Sequence, residues 1–288
     1  MPTFSTPVPL HVRIEASGGD VRIVASDRSD TLVTVTPHTP ERAADVRAAE
    51  QVKVDLDGGV LTIKGLPSWR QLSPFGGHGL ADISVEAPSG ADVTARTAVG
   101  AIVATGRLGR VNATSAMGDI TVSHVASGRA RTAFGDVRID RVDGDLDAAT
   151  ASGELHIGDV HGSASVKSSS GNITVRHVAG ELKAKAANGR IDIERADRSL
   201  MSRTASGSIR VGQVGEGDVL LTAAAGGMQI GIPDGTVAWL DLHSQYGTVR
   251  NELDAATGPR AEERRVKVVA KTYNGDVVVR RATPPFPA

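Results

Sequence analysis

The chain has 288 residues, of which 40% are hydrophobic, 23% charged and only 3% aromatic. Its formal net charge of −1 gives no long-range positive field, so neither nucleic acid nor a membrane is an expected partner. The lack of cysteine excludes disulfides and cysteine-bound metals and is typical of a reducing compartment. Because the first residues contain no basic segment followed by an apolar one, we expect a cytoplasmic protein.

The N-terminal region, residues 1–90, repeats a pattern in which glycine is followed by alternating aliphatic residues. Such alternation puts the aliphatic side chains on one face of a strand. The pattern recurs as GGDVRIVA at 18–25, DGGVLTIKG at 57–65 and LADISVEAPSG at 80–90. The uneven spacing predicts wide, irregular β coils that form the first end of the fold.

Two segments without the strand pattern interrupt these coils. The stretch ERAADVRAAE at 41–50 predicts a short helix that covers an exposed hydrophobic end. The stretch LPSWRQLSPFGGHG at 66–79 brings Trp69 and Phe75 close together in a chain with few aromatics. These two side chains either cap the side or open end of the fold or form an exposed contact patch, since exposed aromatics are typical interface anchors. We favour the cap.

The central region, residues 91–245, contains a regular internal repeat. Glycines recur at intervals of 17 or 18 residues, at Gly100, Gly118, Gly135, Gly153, Gly171, Gly189 and Gly207. Aliphatic residues follow at the second and fourth places after the glycines from Gly118 onward, as Ile173 and Val175 follow Gly171. Strands this short bury their apolar face only by stacking, so the repeat predicts an all-β, parallel β-solenoid with coils of about 18 residues, expected to be right-handed.

Small and hydroxyl residues form two further columns before each glycine. The second place before it holds Ala98, Ala116, Ala133, Ala151, Ser169, Ala187 and Ala205. The third place holds Thr97, Ser115, Thr132, Thr150, Ser168 and, in the last coil, Thr204. Small residues suit a tight corner, hydroxyls can bond one another and the backbone along a ladder, and glycine supplies the positive φ of the turn.

The residue after each glycine raises the question of a metal site. Calcium-binding β-rolls use paired glycines and a constant acid, whereas here the glycines are single and the place reads Asp119, Asp136, Glu154, Asn172, Arg190 and Ser208. Left-handed hexapeptide acyltransferases need an aliphatic every six residues, which this spacing does not supply. A weak cation site at Asp119, Asp136 and Glu154 is the alternative to solvated turn residues. We favour the turn residues and expect no metal, no cofactor and no catalytic residue.

The C-terminal region, residues 246–288, predicts a final coil or cap. A loop at 257–265 precedes the last strand pair, VKVVAKT at 266–272 and GDVVVRR at 275–281. With the irregular first region and the regular centre, it completes one continuous elongated domain.

Several segments resemble a bacterial family of β-strand-repeat proteins of unknown function, common in actinomycetes and labelled as candidate adhesins. The resemblance rests on GGDVRIVASDRSDTLVTVTP, RAAEQVKVDLDGGVLTIKG, SWRQLSPFGGHG, the iterated A-x-G-D-I-x-V coils and AWLDLHSQYGTVRNELD. It covers essentially the whole chain, implies a β-solenoid fold and carries over no catalytic residue.

These observations favour a non-enzymatic scaffold or binding module whose flat faces present polar ladders to a protein or a glycan. A solenoid that assembles end to end into filaments is an alternative that involves self-association. A carbohydrate-active β-helix enzyme is least favoured, because such enzymes need a cleft with paired carboxylates and aromatic platforms, and this chain has two tryptophans.

Overall fold

The computed structural model describes residues 3–6, 10–65, 79–253 and 264–282, and the chain divides into two compact units, Met1–Asp143 and Gly144–Ala288. Trp69, Phe75 and most of the predicted loop, residues 257–263, lie outside the described residues. Each unit is built mainly of β coils stacked in parallel, so the predicted all-β solenoid is confirmed, and the described part of the first unit also contains three antiparallel strand pairs. The division into three regions stays a prediction.

The described part of the first unit consists of short N-terminal strands, one helix and two long strands. They are β1 (Thr3–Ser5), β2 (His11–Ala16), β3 (Val21–Ser26), β4 (Asp30–Pro37), α1 (Ala43–Glu50), β5 (Lys53–Asp57), β6 (Val60–Lys64), β7 (Ala81–Pro88), β8 (Asp92–Val99), β9 (Ile102–Met117), β10 (Ile120–Phe134) and β11 (Val137–Val142).

The described part of the second unit repeats two strands per coil. They are β12 (Leu146–Ser152), β13 (Leu155–Val160), β14 (Ala164–Ser170), β15 (Ile173–Val178), β16 (Leu182–Asn188), β17 (Ile191–Ala196), β18 (Leu200–Ser206), β19 (Ile209–Val214), β20 (Gly217–Ala225), β21 (Met228–Ile232), β22 (Thr236–Tyr246), β23 (Val249–Asn251), β24 (Arg264–Asn274) and β25 (Val277–Arg281).

Equivalent strands of successive coils pair in parallel and in register. In the first unit, Ile120 of β10 pairs with Ile102 of β9 and with Val137 of β11. In the second unit, β13, β15, β17 and β19 follow one another in the same way, with Ile173 between Leu155 and Ile191. The predicted inward aliphatics are buried in every one of these coils, and they form the core.

Close packing between coils explains the column of corner glycines. Gly207 has a φ of 139°, and a Cβ atom at this position would lie 2.1 Å from the carbonyl oxygen of Gly189 on the preceding coil. A side chain would therefore strain the turn and push the coils apart. The predicted positive φ at these corners is confirmed.

The buried hydroxyl column bonds the main chain. Ser115 Oγ donates to the Gly100 carbonyl at 3.2 Å, and Thr132 Oγ1 donates to the Gly118 carbonyl at 3.0 Å. Each of these hydroxyls thus reaches the corner glycine of the coil before it. In both cases the acceptor is a backbone carbonyl and not the hydroxyl of the next coil, whereas Ser168 Oγ of the same column is buried without a hydrogen-bond partner among the described residues.

The coils at the two chain ends do not stack in sequence order, contrary to the expectation that each coil lies on the next. In the first unit, β2 pairs with both β6 and β8, and β3 pairs with both β7 and β9. In the second unit, β24 pairs with both β20 and β22, and β25 pairs with both β21 and β23. In the first unit the first coil of the chain therefore lies between two later coils, and in the second unit the last coil of the chain lies between two earlier coils.

Side-chain chemistry explains this order at the C-terminal coils. The inward positions of β25 hold Val277 and Val279, which are fully buried. The matching positions of β23 hold Val249 and Asn251, both exposed. Because burying an unpaired Asn side chain costs free energy, the all-aliphatic coil takes the interior place and the coil with Asn251 takes the outer one.

The predicted helix is confirmed as α1, which contacts β4 and β7. Its Asp45 is fully buried and accepts hydrogen bonds from the backbone N–H groups of Leu80 at 3.0 Å and Thr39 at 3.1 Å. The bond from Leu80, reinforced by that from Thr39, holds the pKa of Asp45 below its usual value. No helix within the described ranges is both long and apolar enough to cross a membrane.

Candidate functional site

The residue directly before each corner glycine is solvent-exposed, and its character differs between the two units. In the first unit this place holds Val99, Met117 and Phe134, whose exposed fractions are 39%, 51% and 61%. In the second unit the successive corners hold Ser152, Ser170, Asn188, Ser206, Ala225 and Asn274, and the outermost coil holds Tyr246. The fold therefore does not demand an apolar residue here, because most corners of the second unit have the same geometry without one.

Val99, Met117 and Phe134 form a continuous apolar ridge. Met117 pairs in register with Val99 of β8 on one side and with Phe134 of β10 on the other. Parallel strands lie about 4.8 Å apart, so the three residues are direct neighbours along the stacking direction. Single exposed apolar residues are ordinary on protein surfaces, whereas a contiguous apolar patch is typical of a binding site.

A groove of about 620 Å³ runs beside this ridge. Its floor is the column of corner alanines Ala98, Ala116 and Ala133, whose methyl groups leave the groove open. Arg96 and Arg131 form the opposite rim, on either side of Thr114 in the same register. The groove thus lies beside the apolar ridge and has a floor of small residues, and on its rim Arg96 pairs in register with the acidic Glu15.

The hydroxyls that line the groove take part in the fold. Thr97 Oγ1 donates to the Val99 carbonyl at 3.1 Å, while Ser115 and Thr132 donate to glycine carbonyls. A hydroxyl that donates to a main-chain carbonyl has no neighbouring base to activate it as a nucleophile. The arrangement is suited to binding an apolar segment.

The residues of the predicted weak cation site have protein partners. The structure brings Asp119 and Asp136 together, and Asp119 Oδ1 accepts a hydrogen bond from the Asp136 backbone N–H at 2.8 Å. Glu154 belongs to the second unit, where it accepts hydrogen bonds from Asn172 Nδ2 at 3.1 Å and His156 Nε2 at 3.0 Å. Their interpretation as turn residues stays a prediction.

A different group within the described residues has the composition of a metal site. Asp20, His38 and Asp82 place one potential ligand atom each within 4.8 Å of one another. His38 Nδ1 donates to Asp82 Oδ1 at 2.9 Å, and Asp20 Oδ1 accepts the backbone N–H of Ala101 at 2.9 Å. The hydrogen bond to Asp82 raises the pKa of His38, which favours the protonated ring and opposes metal binding.

The repeat and motif patterns of the sequence did not lead us to predict the ridge or this cluster. The sequence does contain a signal for the ridge. In the repeat, the residue before the glycine is Val, Met or Phe in the first unit and Ser, Ser, Asn and Ser in the next four coils. The cluster left no signal, since its three residues come from separate strands or strand ends and share no motif spacing.

Comparisons with known proteins show similarity across most of the chain. A crystal structure of a candidate adhesin from Bacteroides fragilis is 11% identical, with a TM-score of 0.34, and the match covers 96% of this chain and 95% of the other. A candidate lipid-binding protein from Parabacteroides distasonis is 12% identical, with a TM-score of 0.40 and the same coverage. None of the curated proteins compared matches the chain.

The family comparison is more specific. The profile described as Toastrack DUF4097 matches residues 11–218, which is more than half of the chain and includes the ridge, the groove and most of the regular coils. The protein therefore belongs to the toastrack family DUF4097.

Proposed function

We propose that this protein is a non-enzymatic binding module and that the groove beside the apolar ridge takes an extended segment of a partner protein. The observation that carries the proposal is the column of Val99, Met117 and Phe134, which is exposed and apolar where most equivalent corners of the second unit are polar. Most equivalent corners of the second unit keep the same geometry with Ser or Asn, so the turn itself does not require an apolar residue.

Covering the ridge supplies a favourable free energy of binding. Complete burial of one large apolar side chain is worth about 1.5–3 kcal/mol, and the three ridge residues are partly buried already. A partner that covers all three thus gains on the order of a few kcal/mol from the ridge alone. This gain is typical of a small group of anchor residues in a protein interface.

The open shape of the groove favours a polypeptide over a small apolar ligand. Small-molecule sites bury about 70–90% of the ligand in a cleft or cavity, whereas this groove is open along its length. On the rim Arg96 pairs in register with Glu15, so the groove does not select a ligand of one charge. The expected segment therefore has apolar side chains on the face that covers the ridge.

A peptide-display selection tests this proposal. Random peptides are selected on the wild-type protein, and the selected peptides are measured against Met117→Ser combined with Phe134→Ser, which copies the corners of the second unit. We expect peptides rich in apolar residues, an affinity reduced at least about tenfold in this variant, and an unchanged thermal midpoint, because the replaced side chains are exposed.

The control is Asn188→Ala combined with Ser206→Ala, which alters two equivalent corners of the second unit and should leave peptide binding unchanged. Selected peptides that bind the ridge variant as tightly as the wild type would contradict the proposal.

Self-association is a second candidate function, favoured by the outer coil of the second unit. Within the described residues, β22 pairs with β24 along one edge, and its inward Leu240 and Leu242 are only half-buried. An antiparallel pairing of two copies centred on Leu242 would place Asp241 opposite His243 of the second copy and leave no like charges in contact. Edge strands with unpaired backbone groups favour such pairing.

Sedimentation at several protein concentrations tests the second candidate. Leu242→Arg introduces two facing cations at the centre of the antiparallel register, so it should shift a dimer to the monomer. Gln245→Arg lies near the end of the register and should leave the dimer intact. A monomeric wild type at all concentrations would reject self-association through this edge.

A further inference from the structure

The outward face of strands β14, β16 and β18 in the second unit carries a column of cations. Lys167, Lys185 and Arg203 are exposed, and Lys185 pairs in register with Lys167 on one side and with Arg203 on the other. Lys183 adds a fourth exposed cation on β16. We call Lys167, Lys185 and Arg203 the cation ladder.

The ladder differs from the other charged groups of the second unit. Arg176 pairs with Asp159, Arg195 with Asp197 and Arg190 with Asp192. Among the described residues, Lys167, Lys183, Lys185 and Arg203 have no carboxylate partner. The nearest acid along β16 is Glu181, which precedes the strand at the margin of the face.

Three stacked cations without counter-charges are unfavourable in the isolated protein. Neighbouring strands lie about 4.8 Å apart, and like charges directly opposite each other on a sheet destabilise it. Salt bridges on other strands of this unit show that the repeat can accommodate acidic residues in its columns. The unpaired ladder therefore indicates a counter-charge supplied by a ligand.

A second column beside the ladder supplies hydrogen-bonding groups. Ser170, Asn188 and Ser206 are exposed and pair in register along the same three strands. The exposed residues between the two columns are Ser169, Ala187 and Ala205, whose small side chains leave the surface accessible. A ligand lying across the three coils would meet cations on one side and hydroxyl or amide groups on the other.

We infer that the ladder binds a linear acidic polysaccharide. Carboxylate or sulfate groups of such a chain would pair with Lys167, Lys185 and Arg203, and its sugar hydroxyls would bond the Ser and Asn column. Single-stranded nucleic acid fits less well, because the three strands carry no aromatic residue on which bases could stack. This site is separate from the apolar ridge, so neither proposal depends on the other.

Binding to sodium alginate, a carboxylated polysaccharide, tests the inference. We expect alginate to bind the wild-type protein, neutral dextran not to bind, and the affinity to weaken as salt is added, because salt screens exposed charges. Lys167→Gln combined with Lys185→Gln and Arg203→Gln should lose about tenfold or more in affinity, since three charge contacts disappear. Arg210→Gln combined with Arg250→Gln and Arg264→Gln removes the same number of exposed charges from other strands and should bind alginate like the wild type.

The free energy of unfolding of the ladder variant shows whether a loss of alginate binding comes from misfolding. The ladder variant should be at least as stable as the wild type in low salt, because it removes like-charge repulsion. Its binding of the peptides selected on the ridge should be unchanged, which separates failure of this inference from failure of the proposed function.

Two results would overturn the inference. The first is equal alginate affinity of the wild type and the ladder variant, or no alginate binding at all. The second is tighter ladder-dependent binding of single-stranded RNA or inorganic polyphosphate than of alginate, which would reject a polysaccharide as the ligand.

Discussion

His177 donates a hydrogen bond from Nε2 to Asp197 Oδ2 at 2.8 Å, and Arg195 Nε donates to the other carboxylate oxygen at 2.6 Å. Burial by itself would raise the pKa of Asp197, but the hydrogen bonds from His177 and Arg195 outweigh it and lower the pKa below its usual value. In the first unit, the hydrogen bond from His124 lowers the pKa of Asp143 in the same way. Each unit thus ties neighbouring coils together through an ionised aspartate.

Asp197→Asn should destabilise the protein more at neutral pH than in acid. Because the folded state lowers the pKa of Asp197, its carboxylate stabilises the fold above the unfolded pKa of about 3.9, and this contribution is lost as the pH falls through the folded value. Urea unfolding at about pH 7 and about pH 3 measures the difference. Glu194→Gln, an exposed change on the same strand, is the control. A variant that is less stable by the same amount at both pH values would show that ionisation is not the cause.

Gly207→Ala should be among the most destabilising single changes in the second unit. The added methyl group would lie 2.1 Å from the Gly189 carbonyl oxygen at a φ of 139°, so the turn and the coil spacing must both change. We expect a loss of at least about 3 kcal/mol in the free energy of unfolding.

Gly235→Ala is the matched control for this corner. Gly235 has a φ of 70° but nothing within 4 Å of the added methyl group, so only about 1–2 kcal/mol of backbone strain is expected. Equal losses in the two variants would mean that close packing between coils is not what selects glycine at Gly207.

Val175→Asp tests the inward register. Val175 is fully buried between Ile157 and Ile193, so an aspartate there would be an unpaired charge in the core and should cost about 3–5 kcal/mol. Thr174→Lys introduces a charge one residue earlier, on the exposed face beside Asp192, and should cost below about 0.5 kcal/mol. Equal thermal midpoints for the two variants would reject the register.

Asp45→Ala should loosen the attachment of α1. The change leaves the backbone N–H groups of Leu80 and Thr39 without their acceptor, at a cost of about 2–3 kcal/mol. Asp45→Asn keeps one acceptor oxygen and should cost about half as much. Arg42→Ala, which removes only a half-exposed cation 3.8 Å from Asp45, should stay below about 0.5 kcal/mol. Chemical denaturation measures all three, and an unaffected Asp45→Ala variant would contradict this role.

Calcium should leave the thermal midpoint unchanged. Asp119 Oδ1 accepts a backbone N–H and Glu154 accepts two side-chain donors, so both carboxylates already have protein partners. Only a ligand that binds the native state raises its stability. A midpoint that rises with calcium concentration in the wild type, but not in Asp136→Ala, would restore the weak cation site.

Much of this fold was predictable from local pattern. The period of about 18 residues, the inward places of residues such as Ile173 and Val175, and the corner glycines all follow from repetition within single coils. Repetition predicts stacking because each coil contacts mainly its neighbours and needs them to bury its apolar face. The helix at Ala43–Glu50 was predictable for the same reason, since its signal lies within one short segment.

By itself, then, the sequence determined the coil, its inward face and its corners, because these depend on residues a few places apart. Only the tertiary structure decided the order of the coils at the chain ends, where β2 and β24 are each inserted between strands that follow or precede them along the chain. It also decided that Asp20, His38 and Asp82 meet, and that Lys167, Lys185 and Arg203 stay unpaired while Arg176 and Arg195 find carboxylates. These outcomes depend on which strands, distant in sequence, pack most favourably against one another. That choice is made only when all the coils pack together.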